Sequence, residues 1–222
     1  MAKEIKNENV EAVVEAVSKT EKFFNENGKV LGIAAAAVVV AAAVIFCINK
    51  FVYQPAQAEA LGQMAFAEEN FRAGNYELAL NGDGNVLGFA QIIDEYGAKA
   101  GKAAPFYAGV CELQLGNWDL ALEYLQAYKG NDAILKARAI ACMGDAYVGL
   151  EDYAKALDCF EKAAAVVDNM FAAGYLLKAG VVAEKLCQNE KALALYTQIK
   201  DQYPDSMEGY DVDKYIGRVE VK

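Results

Sequence analysis

The sequence predicts an all-α protein in which one N-terminal transmembrane helix is followed by an α-solenoid. An uncharged segment of twenty residues, 30–49, is long enough to cross a bilayer as a helix. Beyond residue 58, small and aromatic residues recur about every 35 residues, a period typical of stacked helix pairs. The predicted order is a cytoplasmic amphipathic head at 1–29, the membrane helix at 30–49, a linker at 50–59, four repeats at 60–205 and a capping helix at 206–222.

Composition excludes several classes of function. The 222 residues hold 21 Lys and Arg against 31 Asp and Glu, and they hold no His. Catalytic triads built on His and His-ligated zinc are therefore excluded. A net charge of -10 argues against nucleic acid as a partner, because that affinity depends on clustered Lys and Arg. The chain also lacks a phosphate-binding Gly-rich loop and a nucleophile turn, so we expect no catalytic residue, cofactor, metal or small-molecule substrate.

The head, 1–29, has a predicted apolar helical face. Its apolar residues are Val10, Val13, Val14, Val17 and Phe24. Such a face suits contact with the membrane or with a partner, and a solvated, partly formed helix is the open alternative.

The charges beside the apolar segment predict its orientation. Lys19, Lys22 and Lys29 precede the segment, whereas only Lys50 follows it. The positive side stays in the cytoplasm, so the N-terminus is expected inside. Residues 50–222 then lie across the inner membrane, in the periplasm of a bacterium with two membranes.

Two other interpretations of the apolar segment stay open. A cleaved signal peptide would release the repeats, and Ala56-Gln57-Ala58 offers a cleavage-like site. The long charged leader is unlike a signal peptide. The second alternative is a buried helix of a soluble protein.

Three columns of residues define the repeats. They keep spacings of 35 and 36 residues and consist of Gly109, Gly144 and Gly180; Ala121, Ala156 and Ala192; and Trp118, Tyr153 and Asn189. Ala67, Tyr76 and Ala79 each lie 42 residues upstream of a counterpart, which implies an insertion of about eight residues. The repeats are expected to begin near Ala60, Lys102, Ala137 and Ala173.

The best repeat contains Met143-Gly144, Tyr147, Tyr153, Ala156, Phe160 and Ala163. These residues resemble the tetratricopeptide repeat, which implies antiparallel helix pairs with small residues where the two helices approach. A single pair cannot bury its apolar face, so neighbouring pairs must stack. A last helix from Ser206, with Val212, Tyr215, Ile216 and Val219, is expected to cap the stack.

The insertion, 81–88, contains three glycines, each of which costs free energy inside a helix, so it is not expected to continue the helix. It is either a turn that divides a long helix, a protruding contact loop, or a calcium loop using Asp83, Asn85 and Asp94. Leu87 stands where a calcium loop needs an oxygen ligand.

Four cysteines, Cys111, Cys142, Cys159 and Cys187, follow the membrane segment. Their irregular spacing favours small apolar fillers over a disulfide framework. Cys142 and Cys159 share a repeat and are the first pair to test.

The first helix of each pair is expected to line a protein-binding groove. The predicted lining is Leu61, Met64, Glu68, Phe106, Val110, Arg138, Asp145, Leu177, Val181 and Glu184. This set is mainly apolar with acidic interruptions, which favours an apolar or amphipathic helix or an unfolded segment as ligand. In the alternative interpretation, these side chains are buried by neighbouring repeats or by the linker.

The segment before the membrane helix reads Phe23-Phe24-Asn25-Glu26-Asn27-Gly28-Lys29. It is similar to the juxtamembrane stretch of YfgM-type ancillary subunits of the bacterial Sec translocon, which share the same architecture. The resemblance implies a protein held beside the translocon that cooperates with a membrane-anchored periplasmic chaperone and assists exported clients. The longer acidic head and the insertion depart from that family. A scaffold for envelope assembly or cell division is the alternative with the same architecture.

Overall fold

The computed structural model describes residues 2–221, and for residues 2–17, 19–21, 23 and 24 it describes the backbone only. The described residues form helices and turns without a strand, which confirms the predicted all-α class. They divide into two compact units, Met1–Pro55 and Ala56–Lys222. The helices are α1 (Ala2–Ile48), α2 (Gln54–Arg72), α3 (Tyr76–Asn81), α4 (Phe89–Tyr96), α5 (Ala104–Leu115), α6 (Trp118–Ala127), α7 (Ala133–Gly149), α8 (Tyr153–Val166), α9 (Met170–Lys185), α10 (Asn189–Gln202) and α11 (Met207–Glu220).

The first unit is built on α1, which contains the apolar segment. Within the described residues, one helix is long and apolar enough to cross a membrane, and none of its most apolar stretch is buried. Val30 and Ile33, for example, are 67% and 71% exposed. This exposure is unlike that of a core helix in a soluble protein. The side chains of the predicted apolar face of the head lie outside the described residues.

The segment 50–59, expected as a linker, is helical. A π-helical turn at Asn49–Tyr53 follows α1, and α2 begins at Gln54. The first predicted repeat helix therefore starts before Ala60. Good helix formers such as Ala, Gln and Glu fill 56–60, and the composition offers no break.

In the second unit, helices pair through a glycine that faces a large side chain sixteen residues later. Gly109 on α5 lies against Leu125 on α6, and Gly144 on α7 lies against the ring of Phe160 on α8. Gly180 on α9 meets Tyr196 on α10 in the same way. The missing side chain lets the two helix backbones approach closely, as the glycine column predicted.

The other two columns also have a common place in each pair. Ala121, Ala156 and Ala192 are fully buried. Trp118, Tyr153 and Asn189 are the first residues of α6, α8 and α10. The earlier unit follows the same plan, because Ala79 is fully buried and Tyr76 is the first residue of α3.

The turn inside each pair has one left-handed residue at an equivalent position. These residues are Gly74, Gly116, Glu151 and Cys187, with φ of 79°, 82°, 59° and 57°. The next amide donates to the carbonyl five residues before it at 2.8–2.9 Å, as in the Asn117 N to Glu112 O bond. Two of the four positions therefore hold a non-glycine residue in a conformation that costs free energy.

The insertion divides the second helix of the first pair into α3 and α4. Asp83 Oδ1 accepts hydrogen bonds from the amides of Asn85 at 2.9 Å and Val86 at 3.0 Å. These bonds lower the pKa of the Asp83 carboxyl below its ordinary value. The observed turn has the form of the helix-dividing interpretation. Phe89 and Ile92 on α4 are fully buried beyond it.

The last helix, α11, packs on α9 and α10. Ser206 caps it, because its Oγ accepts from the Gly209 amide at 2.9 Å. Val212 and Val219 are buried, and Tyr215 and Ile216 pack against the same core.

The described cysteines are free thiols. Cys111, Cys142 and Cys159 are buried in the second unit, where they fill the core, and Cys187 is exposed.

Candidate protein-binding groove

Three adjoining cavities form one groove across α2, α5, α7, α9 and α11. The first cavity, about 170 Å³, lies among α2, α5 and α7. The second, about 370 Å³, spans α5, α7 and α9. The third, about 460 Å³, lies between α9 and the start of α11. The groove thus follows the first helix of each successive pair, as solenoid binding surfaces do.

Shared residues join the cavities. Arg138 lines both the first and the second cavity. Phe171, Tyr175 and Lys178 line both the second and the third. A single extended ligand can therefore touch all three.

Ion pairs neutralise two of the three cations in the groove. Arg72 Nη2 lies 2.9 Å from Glu68 Oε2 on the same helix. Lys178 Nζ donates to both carboxylate oxygens of Asp145, at 2.8 and 2.7 Å, and thereby links α9 to α7. Arg138 is exposed and, among the described residues, has no hydrogen bond or ion pair to a side chain. It is the free positive charge of the groove.

The apolar lining is most exposed toward α9 and α11. Ile134 and Phe171 are 46% and 52% exposed, and Met170 and Met207 are 61% and 84% exposed. Large apolar side chains with such exposure are typical of surfaces that contact another protein. Tyr175 lies between them, and its partial burial raises its pKa above the ordinary value.

The one thiol that lines the groove is unreactive by its environment. Burial raises the pKa of Cys142 to about 11, so it stays protonated at neutral pH. Groups of three or more His, Cys, Asp or Glu placed to hold a metal ion do not occur within residues 2–221 as described.

Six of the ten predicted lining residues line the cavities. They are Glu68, Phe106, Val110, Arg138, Asp145 and Leu177. Phe106 and Val110 are only 3% and 7% exposed, so they form the floor. Met64 is 4% exposed and belongs to the core beneath α2. Leu61 is exposed on α2 but lines none of the three cavities.

Val181 and Glu184 line none of the three cavities, and Glu184 is in contact with α11. Glu184 accepts hydrogen bonds from Tyr196 Oη at 2.7 Å and from the guanidinium of Arg218. Val181 is 43% exposed. The groove accordingly uses the N-terminal half of α9, one to two turns earlier than predicted.

Several lining residues were absent from the predicted set. They include Phe71, Arg72, Tyr107, Ile134, Cys142, Met170, Phe171, Tyr175, Lys178, Met207 and Glu208. Two of them, Met170 and Lys178, lie 36 residues after Ile134 and Cys142, so the repeat spacing relates these groove positions to each other. No periodic signal exists for Met207 and Glu208, which lie on the capping helix.

The juxtamembrane stretch 23–29 is part of α1. Glu26, Gly28 and Lys29 are exposed, and Asn27 is half-buried. The side chains of Phe23 and Phe24 lie outside the described residues.

The family comparison agrees with the helix pairs. Residues 104–132 and 175–206 match the tetratricopeptide repeat family, and these segments cover the α5–α6 pair and most of the α9–α10 pair. The second unit is a tetratricopeptide-like α-solenoid. Solenoids of this type stack their repeats around an extended surface that binds other proteins.

Solved structures support the same fold. Two crystal structures of MamA resemble this chain with TM-scores of 0.55 and 0.53, each at 16% sequence identity. The matches cover 73% and 70% of this chain and 86% and 92% of the MamA chains. At this identity the likeness concerns the tetratricopeptide-like fold alone. No curated protein matches the sequence.

Proposed function

We propose that the protein is a membrane-anchored scaffold whose solenoid binds other proteins through the groove. The observation that carries this proposal is the continuity of three cavities along successive repeats, joined at Arg138 and at Phe171. Its apolar floor and its exposed apolar and aromatic walls suit a protein segment better than a small polar substrate.

The anchor is the apolar part of α1. Its exposed Val and Ile side chains need an apolar environment, and a bilayer provides one. The excess of Lys before the segment supports a cytoplasmic N-terminus and a solenoid in the bacterial periplasm. The anchor raises the local concentration of the groove near membrane partners, so a modest affinity suffices.

The export role rests on the juxtamembrane resemblance. In this role the protein is an ancillary subunit of the Sec translocon that, with a membrane-anchored periplasmic chaperone, receives newly exported chains. A scaffold for envelope assembly or cell division has the same architecture and different partners. The two therefore differ in what co-purifies.

Topology is tested by adding protease to spheroplasts of cells that carry an N-terminal tag on the protein. We expect loss of the solenoid together with a known periplasmic control, and survival of a tagged fragment of about 50 residues in the membrane fraction, since the anchor ends near Tyr53. A solenoid that stays intact while the control is digested would contradict the orientation. Release of the solenoid without protease would instead identify a cleaved, secreted protein.

The groove is tested by affinity purification from gently solubilised membranes. Phe171→Asp places a charge on an exposed groove residue, whereas Leu120→Asp places one on a residue of α6 of comparable exposure outside the groove. We expect translocon subunits to co-purify with the natural sequence and with the Leu120→Asp variant, but not with the Phe171→Asp variant. Recovery of envelope-assembly proteins in their place would select the alternative scaffold. Equal capture by both variants would reject the groove.

A further inference from the structure

The position of Arg138 specifies the ligand more closely. It lies on α7, at the junction of the first and second cavities, with apolar walls on either side. We propose that the groove binds segments in which one Asp or Glu is flanked on both sides by bulky apolar residues, and that Arg138 pairs with that carboxylate. This inference rests on the proposed function, since it assumes that the groove is the binding surface.

Charge distribution singles out this position. The neighbouring carboxylates of Glu68 and Asp145 are held by Arg72 and Lys178. Among the described residues, this pairing leaves Arg138 as the groove cation without a carboxylate partner. A guanidinium offers a planar fork that matches a carboxylate with two hydrogen bonds. Inside a partly enclosed apolar groove that pair is screened less by water than on an open surface.

The rest of the solenoid limits how acidic the ligand is. Residues 50–222 carry 25 Asp and Glu against 16 Lys and Arg, so the domain repels strongly acidic chains. A single carboxylate with apolar neighbours gains the contact with Arg138 at little cost in repulsion. The same field disfavours a carboxylate anywhere else along the groove.

The cavities on either side accommodate the flanking residues. The first has Phe106 in its floor and Phe71 and Tyr107 in its walls. The second has walls of Ile134, Phe171 and Tyr175. Aromatic residues and Arg at the centre of a contact surface carry most of the binding free energy in protein interfaces. Segments of this composition occur in unfolded chains, which expose residues that the folded core would bury, and in amphipathic helices.

The test uses three fluorescent eleven-residue peptides that differ at the central position only. Each carries Leu-Phe-Ala before and Ala-Leu-Phe after a central Asp, Asn or Lys, with polar ends. Fluorescence anisotropy with the full chain in detergent micelles gives the Kd of each. We expect the Asp peptide to bind about tenfold more tightly than the Asn peptide, and the Lys peptide to bind most weakly. Arg138→Gln is expected to abolish the preference, whereas Lys136→Gln, on an exposed residue of the same helix outside the cavities, retains it.

The outcomes separate this inference from the proposed function. Equal binding of all three peptides would overturn the role of Arg138, while loss of partner capture in Phe171→Asp would still support the groove. Absence of binding by every peptide, with partner capture intact, would also overturn the inference, since the groove would then bind folded surfaces. A preference that survives Arg138→Gln would assign the carboxylate to another site.

Discussion

A Cβ atom on Gly144 would lie 2.7 Å from Cε1 of Phe160, a ring that is 1% exposed. The ring cannot retreat, because it is packed in the core shared by α7, α8 and α9. The Lys178 ammonium nitrogen lies over the Phe160 ring, 5.5 Å from the ring centre. The close approach of two helices is thus directly connected to a residue that lines the groove.

Gly144→Ala is expected to lower the free energy of unfolding by about 1–3 kcal/mol, because the added methyl group overpacks the helix pair. Gly217→Ala on α11 is the matched control, since a Cβ there meets no atom within 4 Å. We expect that control to be neutral or stabilising by about 0.5–1 kcal/mol, from helix propensity. Denaturant unfolding followed by Trp118, the one tryptophan of the chain, measures both. Equal effects of the two variants would contradict the packing described for Gly144.

Arg218→Ala is expected to weaken the packing of α11 on α9. The Glu184 side chain is 9% exposed, so removal of the guanidinium leaves a nearly buried carboxylate with one of its donors missing. We expect a loss of about 1–2 kcal/mol and faster hydrogen exchange of the α11 amides. Lys214→Ala removes an exposed pair with Asp211 on the same helix and should cost at most about 0.5 kcal/mol. Unchanged exchange in Arg218→Ala would contradict the assigned role of this contact.

Tyr196 makes stability depend on pH in the alkaline range. Burial and the hydrogen bond to Glu184 raise its pKa above the ordinary value of 10.0. The unfolded chain therefore loses this proton first, so the contribution to stability is complete below pH 10 and falls as pH rises above it. Tyr196→Phe should lower the free energy of unfolding by about 0.5–1.5 kcal/mol at pH 8. Between pH 10 and 11, the stability of this variant should decline less steeply than that of the natural sequence.

Tyr210→Phe is the control for that series, because Tyr210 is 77% exposed on α11. Its stability curve should follow that of the natural sequence. Parallel declines in Tyr196→Phe and the natural sequence would show that the Tyr196 phenol is no more protected than an exposed one.

Glu151→Gly is expected to stabilise the solenoid by about 1 kcal/mol. Glu151 has a φ of 59°, a left-handed conformation that glycine adopts without strain. The reverse change at the equivalent position, Gly116→Ala, should destabilise by a similar amount, since Gly116 has a φ of 82°. Thermal unfolding of both variants measures the difference. Destabilisation by Glu151→Gly would contradict the turn geometry.

The core cysteines should resist alkylation in the folded protein. Burial raises the pKa of Cys111 to about 12 and that of Cys142 to about 11, so little reactive thiolate forms at pH 7. Exposed Cys187 should react with N-ethylmaleimide within minutes, and mass spectrometry of peptides reports each site. Denaturant provides the control, because all of these thiols should then react alike. Fast native labelling of Cys111 would contradict its placement.

The repeat arithmetic predicted the helix pairs because it depends on local contacts. Gly144 and Phe160 are sixteen residues apart, and the same interval recurs at Gly109 and Gly180 with Leu125 and Tyr196. Such contacts within one repeat leave a periodic trace in the sequence. The buried alanines, which recur at 35 and 36 residues, gave the same register for the repeats.

Only part of the groove was predicted, because its last wall depends on packing between distant segments. Periodicity places Val181 and Glu184 beside Asp145, but Arg218 of α11 binds Glu184 and draws that surface into a contact with the capping helix. No spacing rule relates Arg218 to Glu184. Met207 likewise enters the groove only because α11 returns to α9.

Site-directed photocrosslinking in living cells shows whether the groove contacts other proteins. A benzoylphenylalanine at Phe171 reports contacts in the groove, and the same group at Leu120 reports contacts on α6, at comparable exposure. We expect crosslinked membrane or exported proteins from position 171 and few from position 120. Crosslinks of equal yield from both positions, or crosslinks from position 120 alone, would contradict it.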